Sequence, residues 1–93
     1  MEELNDILEE RGKRYGDFKT HADITQKLKD DMKHNFEGWE RLSNSQREAL
    51  EMIAHKIGRI LNGDPDYSDS WVDIAGYSQL IVDQLNRTKE YFS

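Results

Sequence analysis

The chain has 93 residues, no cysteine, a formal net charge of -6 and a pI near 5.0. That length makes a single domain, 1–93, with a modest core, and the lack of cysteine excludes disulfides and thiolate metal sites. The acidic balance argues against a surface built to grip nucleic acid, though not against a phosphorylated small molecule in a local basic pocket.

No apolar run is long enough to cross a bilayer. The acidic start Met-Glu-Glu-Leu-Asn-Asp lacks the basic and apolar regions of a signal peptide. A soluble, cytoplasmic protein without membrane contact is expected. A core this small is marginal alone, so a homo-oligomer is expected as well.

Almost every segment reads as helix, and the pattern predicts an all-α bundle of about four helices. Two long antiparallel helices should follow shorter N-terminal ones. The first helix is expected over residues 2–11, with Leu4, Ile7, Leu8 and Arg11 on one face and Gly12 as the stop. A glycine-containing basic loop, 12–18, should come next. Ile24, Leu28 and Met32 recur at the spacing of a buried stripe and predict a second helix over about Thr20 to Phe36, capped by Asp17 or Thr20. Trp39 and Leu42 should pack under the following connection.

The third helix should begin near Ser43. Ser43 with Gln46, and Ser45 with Glu48, both fit a capping box, so a cap is one reading of Glu48. Gly63 and Pro65 end this helix. Wound at about 100° per residue, it places Glu48, Glu51, His55, Arg59 and Asn62 on one stripe. Ala49, Leu50, Ile53, Ile57, Ile60 and Leu61 fall opposite, as the expected core face. The fourth helix should start at Asp69 or Ser70 and run to Tyr91. Its expected core face is Trp71, Ile74, Ala75, Ile81, Val82 and Leu85, and Gly76 suggests close approach by a neighbour.

Chemistry gathers on the last two helices. Residues three or four apart on a helix point the same way, so Glu48/Glu51 and Asp69/Asp73 each form a carboxylate pair. Hard cations such as Mg²⁺ are held by carboxylates, water and substrate phosphate oxygens. If the helices are antiparallel, the two pairs can face each other as a metal site; the competing reading is two solvated faces. Zinc at Glu51 and His55 is the lesser alternative, because a full zinc site needs further His or Cys ligands. His55, Lys56 and Arg59 are candidates to hold phosphate, or to serve as surface ion pairs. Lys13 and Arg14, beside Tyr15, are candidates to hold a phosphate and stack a base, or to form a plain connector. Tyr77 and Trp71 are further candidates to flank a base.

The segments "ERGKRYGDFKTHADI", "QREALEMIAHKIGRILNGDP" and "DSWVDIAGYSQLI" resemble a small family of uncharacterised phage and prophage proteins, over nearly the whole chain. The helical pattern of the third and fourth helices in turn resembles the MazG-like, all-α nucleoside triphosphate pyrophosphatases. That resemblance implies a helical oligomer, in the host cytoplasm if phage-encoded. It implies a Glu-x-x-Glu pair on one helix and a Glu-x-x-Asp pair on the next, binding Mg²⁺ for cleavage of a nucleotide to monophosphate and pyrophosphate. Glu48-Ala-Leu-Glu51 matches the first pair, and these two become the candidate catalytic acids. The second pair departs from the pattern: three residues before Asp73 stands Ser70, and the acid is Asp69. The expected function is therefore nucleotide binding, with hydrolysis of a (d)NTP as its extension. The alternatives are sequestration of a nucleotide or nucleotide-derived signal without turnover, a host-protein-binding module, or a purely structural helical module.

Overall fold

Asp17 starts the fold's organisation. Its carboxylate accepts from the Thr20 backbone N–H at 3.0 Å and the Thr20 hydroxyl at 2.9 Å, which fixes the N-terminus of a helix one residue later. Those bonds hold the Asp17 carboxyl below its ordinary pKa. The computed structural model describes the backbone of residues 2–92 and the side chains of residues 3–87. It contains α1 (Glu2–Tyr15), α2 (Phe18–His34), a 3₁₀ turn (Glu37–Arg41), α3 (Asn44–Asn62) and α4 (Ser68–Phe92). Among the described residues there is no strand, and the fold is an all-α bundle.

Ser43 caps α3. Its hydroxyl accepts from Gln46 N–H at 3.1 Å, and the Gln46 side chain accepts from Ser43 N–H at 2.9 Å. The alternative Ser45/Glu48 box is not used, so Glu48 is left free of capping. Trp39 is buried in the 3₁₀ turn, which Arg47 ties to α3 by donating to the Trp39 and Glu40 carbonyls. α1 does not stop at Gly12. It continues to Tyr15, because a glycine inside a helix costs only about 1 kcal/mol and other contacts override it.

α3 is the central element, with α2 against one side and α4 against the other. The α2 side is its polar stripe. Glu51 pairs with Lys33 at 2.8 Å, His55 meets His21, and Asn62 donates to the Tyr15 and Asp17 carbonyls at 2.9 Å each. Between them Gly58 lets α2 approach closely. A Cβ there would run into the Thr25 methyl and stand 3.1 Å from the His21 ring. With Glu51, His55 and Asn62 each meeting a partner, this part of the polar row serves as a helix seam.

The expected apolar face of α3 is only partly core: Ala49 is buried, whereas Leu50 and Leu61 are exposed. On α4 the expected face is rotated. Ser70 is buried, and Asp73, Ile74, Tyr77 and Ile81 are half-buried, while Trp71, Val82 and Leu85 are exposed. The Trp71 indole instead donates to the Pro65 carbonyl at 2.8 Å across the α3–α4 turn. Gly76 has open space around it rather than a close neighbour. Lys56, buried on α3, reaches Asp73 at 2.9 Å and sets the register of the antiparallel α3–α4 pair.

The core is small. Trp39, Ala49 and Ala54 are the buried apolar residues among those described, and no large side chain is fully buried. The radius of gyration is 16.2 Å, against about 12 Å expected for a rounded chain of this length. The extents of 56 × 28 × 25 Å make the bundle elongated.

Candidate ligand pocket

The break between α1 and α2 is one sharp corner. Gly16 takes φ +76°, a left-handed conformation in which a side chain would be strained, and a Cβ there would also collide with Asn62. The Asp64 N–H donates to the Arg14 carbonyl at 2.6 Å, so this corner is bonded to the end of α3 from two sides. The space it leaves against α3 is a cavity of about 360 Å³. Arg11, Tyr15, Phe18, His21, His55 and Arg59 are among its lining residues. That volume sits at the small end of ordinary ligand sites.

Arg59 lies over the Tyr15 ring, its guanidinium carbon 4.2 Å from the ring centre. Among the described residues neither Arg59 nor Arg11 forms an ion pair, although the chain carries an excess of acids. His21 and His55 meet edge to face, with ring centroids 4.5 Å apart and His21 Nε2 3.3 Å from His55 Nδ1. Burial, followed by the neighbouring His21 and Arg59, pushes His55 down to about 4. Burial also lowers His21, Arg59 adding to it and the Gly58 backbone acting the other way. Both rings are therefore neutral at pH 7. His21 Nδ1 is buried without a hydrogen-bond partner.

The residues singled out by sequence separate into three groups. His55, Arg59 and Tyr15 meet in this pocket. Lys13 is exposed on the outer side of α1, and Arg14 is bound to Glu10 at 2.7 Å and to the Tyr67 hydroxyl at 2.8 Å. Lys56 is occupied by Asp73, and Tyr77 lies in a groove on the other side of α3, beside Glu48.

The four carboxylates do not converge within the chain. Glu51 is held by Lys33 and Asp73 by Lys56. Asp69 accepts from the Tyr67 hydroxyl at 2.7 Å, a bond that raises the Tyr67 pKa. Glu48 is exposed. The reason is the antiparallel register: Asp69 and Asp73 start α4 and face the end of α3, whereas Glu48 and Glu51 lie near its beginning. Among the described residues no three of His, Cys, Asp and Glu are grouped to hold a metal ion.

His21 and Arg11 line the pocket, and Gly58 lets His21 approach α3, but none of the three was singled out from the sequence. One signal for them existed. Ala54 and Gly58 are small residues four apart on α3, as His21 and Thr25 are four apart on α2, the pattern of two helices in close approach.

Residues 1–84 match the profile of a domain of unknown function, DUF6378, and the chain belongs to that family. No curated protein and no solved structure matches it.

Proposed function

Membership of a family without an assigned activity leaves the geometry to speak, and from it we propose that this protein binds a nucleotide-type phosphate ligand in the α1–α3 pocket, without turning it over. The observation that carries this reading is Arg59: stacked on Tyr15, unpaired with any described carboxylate, and open to the cavity beside Arg11 and His55. A guanidinium in that setting supplies charge-assisted donors for phosphate oxygens. Tyr15 and Phe18 supply aromatic surface for a base. Sequestration of a nucleotide or nucleotide-derived signal is the biological form of this reading, in line with the resemblance to phage proteins.

The test is calorimetric titration with each NTP, dNTP and nucleoside monophosphate, with and without Mg²⁺. Binding that survives a chelator and weakens at least tenfold in Arg59→Gln supports the reading; tenfold is about 1.4 kcal/mol. Absence of binding by all of these ligands refutes it.

Mg²⁺-dependent cleavage of a (d)NTP to monophosphate and pyrophosphate is the second reading. Glu48 favours it, being neither a cap nor an ion-pair partner among the described residues, and standing beside Tyr77. Against it, Glu48, Glu51, Asp69 and Asp73 do not fit one metal ion within a single chain. Pyrophosphate release that stops in Glu51→Gln would establish turnover. A homo-oligomer remains part of the proposal, since α4 turns Trp71, Val72, Leu80, Val82 and Leu85 outward beside a very small core. Light scattering on the purified protein reads its mass directly.

A further inference from the structure

Two stripes on the α3–α4 pair form one face. On α3, Gln46, Leu50, Ile53, Ile57 and Ile60 recur at alternate steps of four and three residues. On α4, Trp71, Ala75, Ser78, Val82 and Leu85 do the same. An average of about 3.5 residues is the spacing of a helix seam that packs on further helices. The stripes lie side by side: Gln46, Leu50 and Ile53 meet Ser78 and Ile81 around an open groove of about 270 Å³. The α4 stripe is exposed throughout, and that of α3 is exposed or half-buried. We infer that this face is covered by the same face of a second copy, so that two α3–α4 pairs close a four-helix core about a two-fold axis. The inference gives the homo-oligomer proposed above its interface, and it rests on that reading.

Charge selects the occupant. Neither stripe carries a charged residue, in a chain that is 34% charged. The exposed positions beside the α4 stripe, Val72, Gln79 and Asn86, are uncharged as well. A foreign partner of opposite charge is steered and held in register by complementary charges, and this side of α4 offers it none. A second copy has the reverse need. Each chain carries a net charge of -6, and like charges set against each other across an interface repel. Two such chains meet most favourably where neither is charged.

Size and shape agree. With 19 residues, α3 is about 28 Å long, and two helices about 9 Å apart present a face about 20 Å wide. That is roughly 560 Å² in plan, and the relief of the side chains raises the accessible area toward the roughly 800 Å² that each partner of a stable complex buries. Leu50, 38% exposed, stands beside the small Ser78. The face thus carries both a ridge and a hollow, as the pairing of one surface with itself requires. Trp71 is 54% exposed, yet its indole N–H is already fixed to the Pro65 carbonyl, so it loses little freedom on docking. Leu80 lies outside this face, in the groove beside Glu48 and Tyr77. The ligand cavity shares no lining residue with the face and stays open in such a dimer.

Sedimentation velocity over roughly a hundredfold range of protein concentration tests this, because the dimer dissociates by mass action. The wild type should reach twice 11.0 kDa. Ala75→Glu and Val82→Glu set acids at exposed positions of the face. Each should move dissociation to at least about tenfold higher concentration, with helical circular dichroism unchanged. Leu80→Glu, an exposed change on the other side of α4, should leave it in place. Trp71 gives a reading without any substitution: acrylamide quenching of tryptophan emission should fall as the dimer forms, since Trp39 is buried within the single chain. A monomer at every concentration refutes the homo-oligomer and its interface together. An oligomer that Ala75→Glu and Val82→Glu leave intact, that is as sensitive to Leu80→Glu, or that forms without shielding Trp71 overturns the interface while the homo-oligomer stands.

Discussion

Replacing Gly58 by alanine puts two effects of known sign against each other. Alanine in a helix interior is favoured over glycine by about 1 kcal/mol. Opposing this, the new Cβ runs into the Thr25 methyl and crowds the His21 ring at 3.1 Å. Thr25 is buried and cannot easily turn away, because its hydroxyl donates to the His21 carbonyl at 3.0 Å and the Ala22 carbonyl at 3.3 Å. Relief must come from moving α2, at the upper end of the roughly 1–3 kcal/mol that overpacking costs. The net expectation for Gly58→Ala is a loss of about 1–2 kcal/mol, or roughly 1 M in the urea midpoint for a chain of this size. Thr25→Ser deletes the colliding methyl and keeps the hydroxyl, so combining the two should recover about 1 kcal/mol relative to the sum of the single changes. A Gly58→Ala midpoint equal to or above that of the wild type would refute the close approach of α2 and α3, and with it the contact between the histidines.

Three further outcomes are expected. Asn62→Ala, which frees the Tyr15 and Asp17 carbonyls, should cost about 1–2 kcal/mol in urea unfolding and weaken ligand binding, since the pocket corner loses its clamp; unchanged stability and affinity would contradict this. The Lys56–Asp73 pair should respond unequally, because the Lys56 side chain is 10% exposed and that of Asp73 45%: Asp73→Asn strands a buried cation and should cost about 2–3 kcal/mol, whereas Lys56→Met leaves a carboxylate that reaches water and should cost about 1 kcal/mol or less. His55, held at about 4 against an ordinary 6.5, binds fewer protons folded than unfolded between those values, so stability should be level above pH 6.5 and fall as the pH drops toward 4. After allowance for the ring's partial contact with solvent, the loss should be on the order of 1–2 kcal/mol. The slope should flatten in His55→Gln, as followed by thermal melts across pH.

Local chemistry made several helix boundaries readable, though not the end of α1, which passes Gly12. The Ser43–Gln46 box, the Asp17 cap and the stop at Gly63 depend on short-range bonds that the residue order displays, and each is found in place. The faces were harder to read. On α3 the charged stripe suggested solvent or a metal, because periodicity records polarity and not whether Lys33, His21 and two backbone carbonyls wait across the seam. On α4 apolar residues occur on both sides, so the pattern could not choose its phase, and the choice fell to Ser70 and the Lys56–Asp73 register. The pocket was half legible: Arg59, His55 and Tyr15 stood out as chemistry, but Arg11 and His21 arrive from other helices, His21 through the close approach at Gly58. The paired acids were legible as spacing, yet spacing along two helices does not say which turns lie opposite each other.

The first helix is held almost entirely at one end. Residues 3–13 are exposed throughout, Leu4, Ile7 and Leu8 included, while Arg14, Tyr15 and Gly16 carry its bonds to the rest of the molecule. Leu8 and Arg11, which wall the cavity, therefore sit on a cantilever. Its amides should exchange with solvent deuterium far sooner than those of α3. A ligand bridging Arg11 to Arg59 would slow that exchange along the whole beam, including turns it never touches, so mass-spectrometric deuterium uptake over residues 3–13 becomes a label-free gauge of occupancy.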